Sequence, residues 1–409
     1  MSSILSLKLK KRQIYGTFDL PLSKSMANRA LLLSALYSKL GLSCLSESED
    51  SEYLLQALQS HSSGTIFVGD GGTTLRFATA YWACQENKEV ILTGSARLNQ
   101  RPIGPLVEAL IELGAKIEYL EQYGFAPIKI KGQKLRGGHL RLKNVESSQF
   151  VSALMMIAPS LEGGLRISWE SMVSNPYLMM TAAMMREAGF LVNLTTKECY
   201  ISKQELVVER RLKIEKDWSA LAFWCEAVAL SDSADLYFPG LHLHSTQGDS
   251  KVIHYFEPLG VGHRFDDSGL HLFKKPTLFP GVIRYNLLGE PDLSQALITA
   301  LMIRSIPFEI TGLATLRNKE CDRINAIDHL AKVLGIRMET TLDSIRCEKY
   351  PKVLNMPDTA FETLNDHRVA MSLAPLSLLM PIVLRNPNVV AKSYPSFWEH
   401  WHQLADRNI

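Results

Sequence analysis

Leu20-Pro21-Leu22-Ser23-Lys24-Ser25-Met26-Ala27-Asn28-Arg29 runs directly into Ala30-Leu31-Leu32-Leu33-Ser34-Ala35-Leu36. A proline, a Ser-Lys-Ser segment and an unbroken apolar run predict a helix whose first turns carry Lys24, Ser25 and Arg29. Serine hydroxyls satisfy backbone N–H groups that have no partner at a helix start. The same N–H groups, with the helix dipole behind them, attract anions. Lys24 and Arg29 stand five residues apart and are expected to converge on one phosphate. Taken alone, the segment is equally a capped surface helix with two solvated cations. Repetition of the device along the chain decides between the two.

Five helical stretches stop at Gly41, Gly114, Gly189, Gly260 and Gly335, at spacings of 73, 75, 71 and 75. Glycine after a helix reaches positive φ without a Cβ penalty. A second series of helices is expected to open at Gly72-Thr73-Thr74, Ser147-Ser148-Gln149, Asp217-Trp218-Ser219, Pro291-Asp292-Leu293-Ser294 and Asn365-Asp366-His367. Its markers Gly72, Ser148, Trp218, Pro291 and Asp366 are spaced 76, 70, 73 and 75. Two interleaved series with one period make chance the weaker explanation. Strand-like segments 89–93, 126–130, 164–167 and 308–310 fall between the helices, and a last helix is expected from Pro395 through Leu404. Six α/β units imply two domains of three units each, with a short hinge near Asp217.

The 409 residues carry a net charge of +2, so no general basic field points to nucleic acid and any anion specificity is local. Six cysteines without a C-x-x-C pair suit a reducing compartment and no structural zinc. Residues 1–11 contain no long apolar segment, and the run from Ala370 to Leu384 is broken by Pro375 and Pro381. Neither reads as a signal peptide or a membrane span.

Many of the helix starts are polar or glycine-rich. Gly69-Asp70-Gly71-Gly72-Thr73-Thr74-Leu75-Arg76 lets backbone amides approach a ligand, though it lacks the phosphate-loop spacing. Arg101 precedes Pro102, a proline suited to the first position of a helix. Ser147-Ser148-Gln149-Phe150 and Ser174-Asn175-Pro176-Tyr177 supply hydroxyls and a carboxamide, or ordinary caps. Pro291-Asp292 reads as an N-cap or a working carboxylate. Lys319 and Arg323, read as i,i+4 neighbours on one helix face, are unfavourable unless an anion lies between them. The pair His242 and His244 reads as one strand face and, with His254, His263 and His271, as bystanders. Cys321 has no histidine partner fixed by spacing. Met179-Met180-Thr181-Ala182-Ala183-Met184-Met185 is core packing.

In order, Ser23-Lys24-Ser25-x-x-x-Arg29, Gly69-x-x-Gly72-Thr73-x-x-Arg76, Arg101-Pro102-Ile103-Gly104, Ser147-Ser148-Gln149-Phe150, Ser174-x-Pro176-Tyr177, Pro291-Asp292, Lys319-Glu320-x-Asp322-Arg323, Asn365-Asp366-His367-Arg368 and Ala391-Lys392 resemble the 5-enolpyruvylshikimate-3-phosphate (EPSP) synthase family, from about residue 15 onward. The resemblance implies an α/β (α+β) enolpyruvyl transferase fold, an inverse α/β barrel. It has six βαβαββ-type repeats, three per domain, and the domains close like jaws. The implied domains are 21–216 and 1–20 with 217–409, so the chain crosses between them twice.

The implied reaction transfers the enolpyruvyl group of phosphoenolpyruvate (PEP) to the 5-hydroxyl of shikimate 3-phosphate, releasing phosphate. Carried over residue by residue, Lys24, Gly72, Arg101, Gln149, Arg323, Arg368 and Lys392 hold PEP. Ser25, Arg29, Ser147, Ser148, Gln149, Ser174, Tyr177, Asp292 and Lys319 hold shikimate 3-phosphate. Asp292 accepts the hydroxyl proton, while Glu320 and Lys24 manage proton delivery. Surrounding cations are expected to keep Asp292 ionised, and Glu320 is expected to need a raised pKa. The resemblance implies no metal or cofactor. The implied partners are the two small-molecule substrates, without nucleic acid or membrane, for a cytoplasmic monomer inhibited by the PEP mimic glyphosate. Leu22, Asp70, Phe77, Thr315, Asn318, Lys216 and Trp218 depart from the family's usual residues, and Asp70 is expected to pair with a neighbouring cation. The rival readings are UDP-N-acetylglucosamine enolpyruvyl transferase and a non-catalytic anion-binding relative.

Overall fold

Strand Gly64–Phe67, helix Gly72–Ala83, strand Glu89–Thr93, helix Gly104–Glu112 and the hairpin Lys116–Tyr119/Ile128–Lys131 make one complete βαβαββ unit. The first two strands pair parallel across the helix and the hairpin adds antiparallel, with Val90 opposite Ile130 and Leu92 opposite Ile128. These four side chains are buried while their strand neighbours are more exposed, the period-two pattern of a half-covered sheet. The same order recurs over 136–201 and 283–347. It recurs again where strand Gln13–Thr17 pairs parallel with Ser233–Pro239.

The structure, a computed structural model, describes residues 3–60, 64–145, 147–277, 281–355 and 360–406. The chain divides into two units: Leu22–Ile214, and Met1–Pro21 with Glu215–Ile409. Among the described residues each unit holds three sheets. Two per unit are four-stranded. The third is Leu40–Leu42 with Arg210–Leu212 in one unit, and Ile4–Leu7, Ile382–Arg385 and Phe361–Glu362 in the other. Four repeats are therefore complete and two are reduced. Among the described residues no helix is long and apolar enough to cross a membrane.

Each unit has its own hydrophobic core around three mutually packed helices. In Leu22–Ile214 these are Lys24–Leu36, Gly72–Ala83 and Ser148–Ile157. In the other unit they are Trp218–Leu230, Ser294–Ile303 and His367–Leu373. Helix Trp218–Leu230 is buried at every position except Ser219, which explains its apolar composition all round. Trp218 and Trp224 are fully buried, each contributing roughly 3 kcal/mol of burial. Asp217 caps this helix, accepting from the Ser219 and Ala220 amides at 2.8 and 3.3 Å.

Several sequence expectations change. Gly114, Gly189, Gly260 and Gly335 have φ of 101°, 102°, 84° and 76°, as helix-stop glycines should. Gly41 instead lies inside strand Leu40–Leu42, because the preceding helix already ends at Leu36 with Tyr37 extended. Ser23 makes no side-chain capping bond. Pro102 precedes the helix Gly104–Glu112, and Pro105 occupies its first turn. His242 and His244 lie on an irregular segment rather than a strand, beyond the end of Ser233–Pro239. The last helix is Phe397–Asp406.

Candidate functional site

The unit Leu22–Ile214 gathers its named residues at the starts of its central helices. Lys24, the first residue of its helix, places Nζ 2.8 Å from Asp50 Oδ2. Asp50 lies in the first turn of helix Glu49–Gln59, and its carbonyl accepts from Thr74 Oγ1 at 2.9 Å, tying it to the glycine turn. Gly72 starts the next helix where two guanidinium groups come close. A Cβ there would lie 2.5 Å from Arg76 Nη1 and 2.6 Å from Arg101 Nη2. Arg101 is buried, and its Nη1 reaches the Asp70 carbonyl at 3.5 Å.

Gln149 is held from several sides. Its Oε1 accepts from Arg76 Nη1 at 2.6 Å, and its Nε2 donates to Thr73 Oγ1 at 3.0 Å. Its amide donates to Ser147 Oγ at 3.3 Å, so Ser147 is the N-cap, and Ser148 follows as a buried first helical residue. Arg76 also donates to the Pro102 carbonyl at 2.9 Å and lies over the Phe150 ring at 5.0 Å. Two helix starts and the Arg101 loop are thereby locked together.

Arg29 departs from the expectation. Among the described residues no hydrogen bond or ion pair joins it to the Lys24–Asp50 pair. It points into the helix packing, where Nε donates to Thr181 Oγ1 at 2.7 Å and Nη1 to the Ser25 carbonyl at 2.8 Å. Five residues along a helix is about 500° of rotation, which carries Arg29 away from Lys24. Burial lowers its pKa to about 10, so it stays charged at neutral pH. Neither Arg29 nor Arg101 contacts a carboxylate among the described residues. Ser174 is a left-handed residue ahead of helix Asn175–Glu187, and Tyr177 stacks its ring 5.8 Å from the Arg29 guanidinium.

The second unit builds a denser cluster. Asp292 lies in the 3-10 turn Pro291–Leu293 that leads into Ser294–Ile303. Its Oδ1 is 3.1 Å from both Lys319 Nζ and Arg323 Nη1, and its Oδ2 is 3.0 Å from Arg368 Nη2. Lys319 is not helical as expected, since Asp322 caps a helix beginning at Arg323. The anion required between the two cations is Asp292 itself. Arg323 also pairs with Glu320 at 2.7 Å and with Asp366 at 2.8 Å. Asp366 caps helix His367–Leu373 through the Arg368 amide at 2.9 Å. Lys392 donates to the Asn365 carbonyl at 3.0 Å.

Electrostatics follow from this packing. Burial opposes ionisation of Asp292, but Arg368, Lys319 and Arg323 outweigh it and hold its carboxyl well below the usual range. Burial lowers Lys319, with Asp292 opposing. Asp249, which accepts from Ser219 Oγ, is pushed up to about 7 by burial and then by the Asp292 charge. Burial also raises the Cys321 thiol well above its usual range, which argues against a nucleophilic role. Among the described residues no three His, Cys, Asp or Glu side chains are arranged to hold a metal ion.

Four contributors carried no role in the sequence reading. Asp366 and Arg76 stood inside quoted motifs, where capping and turn chemistry masked their ion-pair and positioning contacts. Asp50 and Asp249 carry no local signal; only the fold brings them to Lys24 and to the Asp292 cluster.

The family model for EPSP synthase (3-phosphoshikimate 1-carboxyvinyltransferase) matches residues 38–401. A Bacteroides fragilis protein named 3-phosphoshikimate 1-carboxyvinyltransferase is 37% identical over 389 residues, covering 94% of both chains. One of the same name from Xenorhabdus nematophila is 32% identical, covering 96% of this chain and 97% of that one. The solved EPSP synthase of Acinetobacter baumannii superposes with a TM-score of 0.75 at 21% identity, over 99% of this chain and 98% of that one. That likeness carries the fold: two sets of α/β units in the expected order. With the family's motifs, most of its length and its architecture all present, the chain belongs to the EPSP synthase family.

Proposed function

We propose that the chain transfers the enolpyruvyl group of PEP to the 5-hydroxyl of shikimate 3-phosphate and releases phosphate. The carrying observation is Asp292, a carboxylate held by Lys319, Arg323 and Arg368 at 3.0–3.1 Å. PEP brings a phosphate and a carboxylate, the two groups for which arginine forks are suited. As those anions engage Arg323 and Arg368, Asp292 keeps less of their field and its proton affinity rises toward that of a working base. Asp292 then takes the 5-hydroxyl proton as that oxygen bonds to C2 of PEP, while Lys24 or Glu320 supplies a proton to C3. Return of a C3 proton to Glu320 or Lys24 then re-forms the C2–C3 double bond as the C2–O bond to phosphate breaks, leaving the enol ether product and free phosphate.

Lys24, Gly72, Arg101, Gln149, Arg323, Arg368 and Lys392 serve PEP in this reading. Ser25, Arg29, Ser147, Ser148, Gln149, Ser174, Tyr177, Asp292 and Lys319 serve shikimate 3-phosphate. Arg29 contributes through its buried charge and its Tyr177 contact rather than beside Lys24. The protein is a cytoplasmic monomer acting on small molecules in this proposal. The test is phosphate release with PEP and shikimate 3-phosphate together, expected at roughly 1–1,000 turnovers per second. Binding of shikimate 3-phosphate without turnover supports the anion-binding relative instead, and turnover only with UDP-N-acetylglucosamine supports the related transferase.

A further inference from the structure

The last carbonyls of helix Trp218–Leu230 are held by three cations from three separate parts of their unit. Lys274 Nζ donates to Ala229 O at 2.7 Å and to Val228 O at 3.1 Å. Arg304 Nη1 donates to Ala229 O at 2.9 Å, and Arg12 Nη2 donates to Leu230 O at 3.1 Å. A helix C-terminus presents only about half a negative charge, so three full cations overcompensate it. Asp232 offsets one of them and leaves a net positive charge. Arg12 faces the exposed Asp232 at 3.3 Å, and neighbouring Lys275 pairs with Glu257 at 2.7 Å. Lys274 and Arg304 contact no carboxylate among the described residues. Burial first, then the charges of Arg304 and Arg12, lowers Lys274 to about 8, with Asp232 opposing.

These cations, with Asp232, line an open surface depression of about 510 Å³. That volume lies within the range of small-molecule sites and exceeds what a bare phosphate ion needs. Arg304 Nη2 is steered by Thr277 Oγ1 at 3.0 Å, which fixes the plane of its fork. We propose that this depression binds a small phosphate-bearing molecule, its phosphoryl oxygens taken by Lys274, Arg304 and Arg12. The site is separate from the Asp292 cluster. Ser219, in the first turn of helix Trp218–Leu230, donates to Asp249, and the helix's thirteen residues put the depression about 20 Å away. Arg304 likewise follows the end of the helix that Asp292 precedes.

The reporter is the Lys274 amine in the full chain, observed by NMR of ¹³C-methylated lysines and assigned with Lys274→Gln. Ribose 5-phosphate and inorganic phosphate are titrated separately at an ionic strength matched with sodium chloride. The expected result is an apparent Lys274 pKa raised by about one unit, a tenfold gain in proton affinity. Arg304→Gln is expected to weaken that response at least tenfold, and the exposed Arg12→Gln about threefold, so a folding failure of one leaves the other. A larger response to ribose 5-phosphate than to inorganic phosphate supports the organic phosphate, and an equal response to the two overturns that assignment in favour of the free ion. No shift with either, or the same shift with chloride, overturns the proposal.

Discussion

Arg323 and Asp366 meet at two points, Nε 2.8 Å from Oδ2 and Nη2 3.2 Å from Oδ1. Both are essentially inaccessible to solvent, so the guanidinium that also touches Asp292 and Glu320 is fixed by a buried two-point pair.

Removing one charge from such a pair leaves the other buried without compensation. Asp366→Asn keeps a capping oxygen for the Arg368 amide but loses the charge, and is expected to lower stability by about 3 kcal/mol. Asp366→Ala loses the cap as well, for about 1 kcal/mol more. Urea unfolding measures both. Steady-state kinetics are expected to show kcat/KM down at least tenfold, because Arg323 no longer holds its orientation.

The cluster makes stability depend on pH in two opposing ways. Asp292 and Asp366 have depressed carboxyls: burial resists, but the facing cations prevail. Their contribution is fully present above the ordinary carboxylate value and is lost as pH falls through their folded values. Asp249 runs the other way. Raised from 3.8 to about 7 by burial, it binds more protons folded than unfolded, so its contribution falls as pH climbs between those values. Asp249→Asn is expected to flatten that decline while leaving the acid limb unchanged, as read from unfolding midpoints between pH 4 and 8. An unaltered slope contradicts the assignment.

The repeat period made the six units and the starts of the central helices legible, because glycine stops and polar caps are local signals. Gly41 misled because a Leu-Gly pair serves a strand as readily as a helix end. Pro102 misled because Pro105, two residues beyond Ile103, takes the helical position. The cations of the cluster were legible as residue types within motifs. Their partners were not: Asp50 and Asp249 reach Lys24 and the Asp292 cluster only through packing between elements. Arg29 shows the same limit in reverse, since its motif named it while its burial depended on Thr181 and Ser152, far along the chain.

Gly72 leaves no space for a side chain between two guanidinium groups. In Gly72→Ala the added methyl meets Arg76 Nη1 and Arg101 Nη2 inside 2.7 Å, and these mobile ends must yield rather than the backbone. Stability is therefore expected within about 1 kcal/mol of the parent. KM for PEP is expected to rise about tenfold or more, glyphosate inhibition to weaken in step, and shikimate 3-phosphate affinity to change less than twofold. Inhibition assays and calorimetry separate these effects.

Arg76 acts through Gln149. It donates to Gln149 Oε1 at 2.6 Å and to the Pro102 carbonyl at 2.9 Å, so one guanidinium sets the carboxamide of one helix start and the loop that carries Arg101. Arg76→Lys keeps the charge but replaces a planar fork with a point donor that cannot satisfy both acceptors in that geometry. Its expected cost is about tenfold in kcat/KM, mostly in KM for PEP. Arg76→Lys is also expected to lower stability, and Gln149→Glu in the same background supplies a carboxylate for the lysine ammonium and is expected to restore part of that loss without restoring PEP affinity, because the new charge repels the substrate. A double-mutant cycle on unfolding and on KM checks this. If both quantities recover together, Arg76 acts through packing alone and its positioning role is wrong.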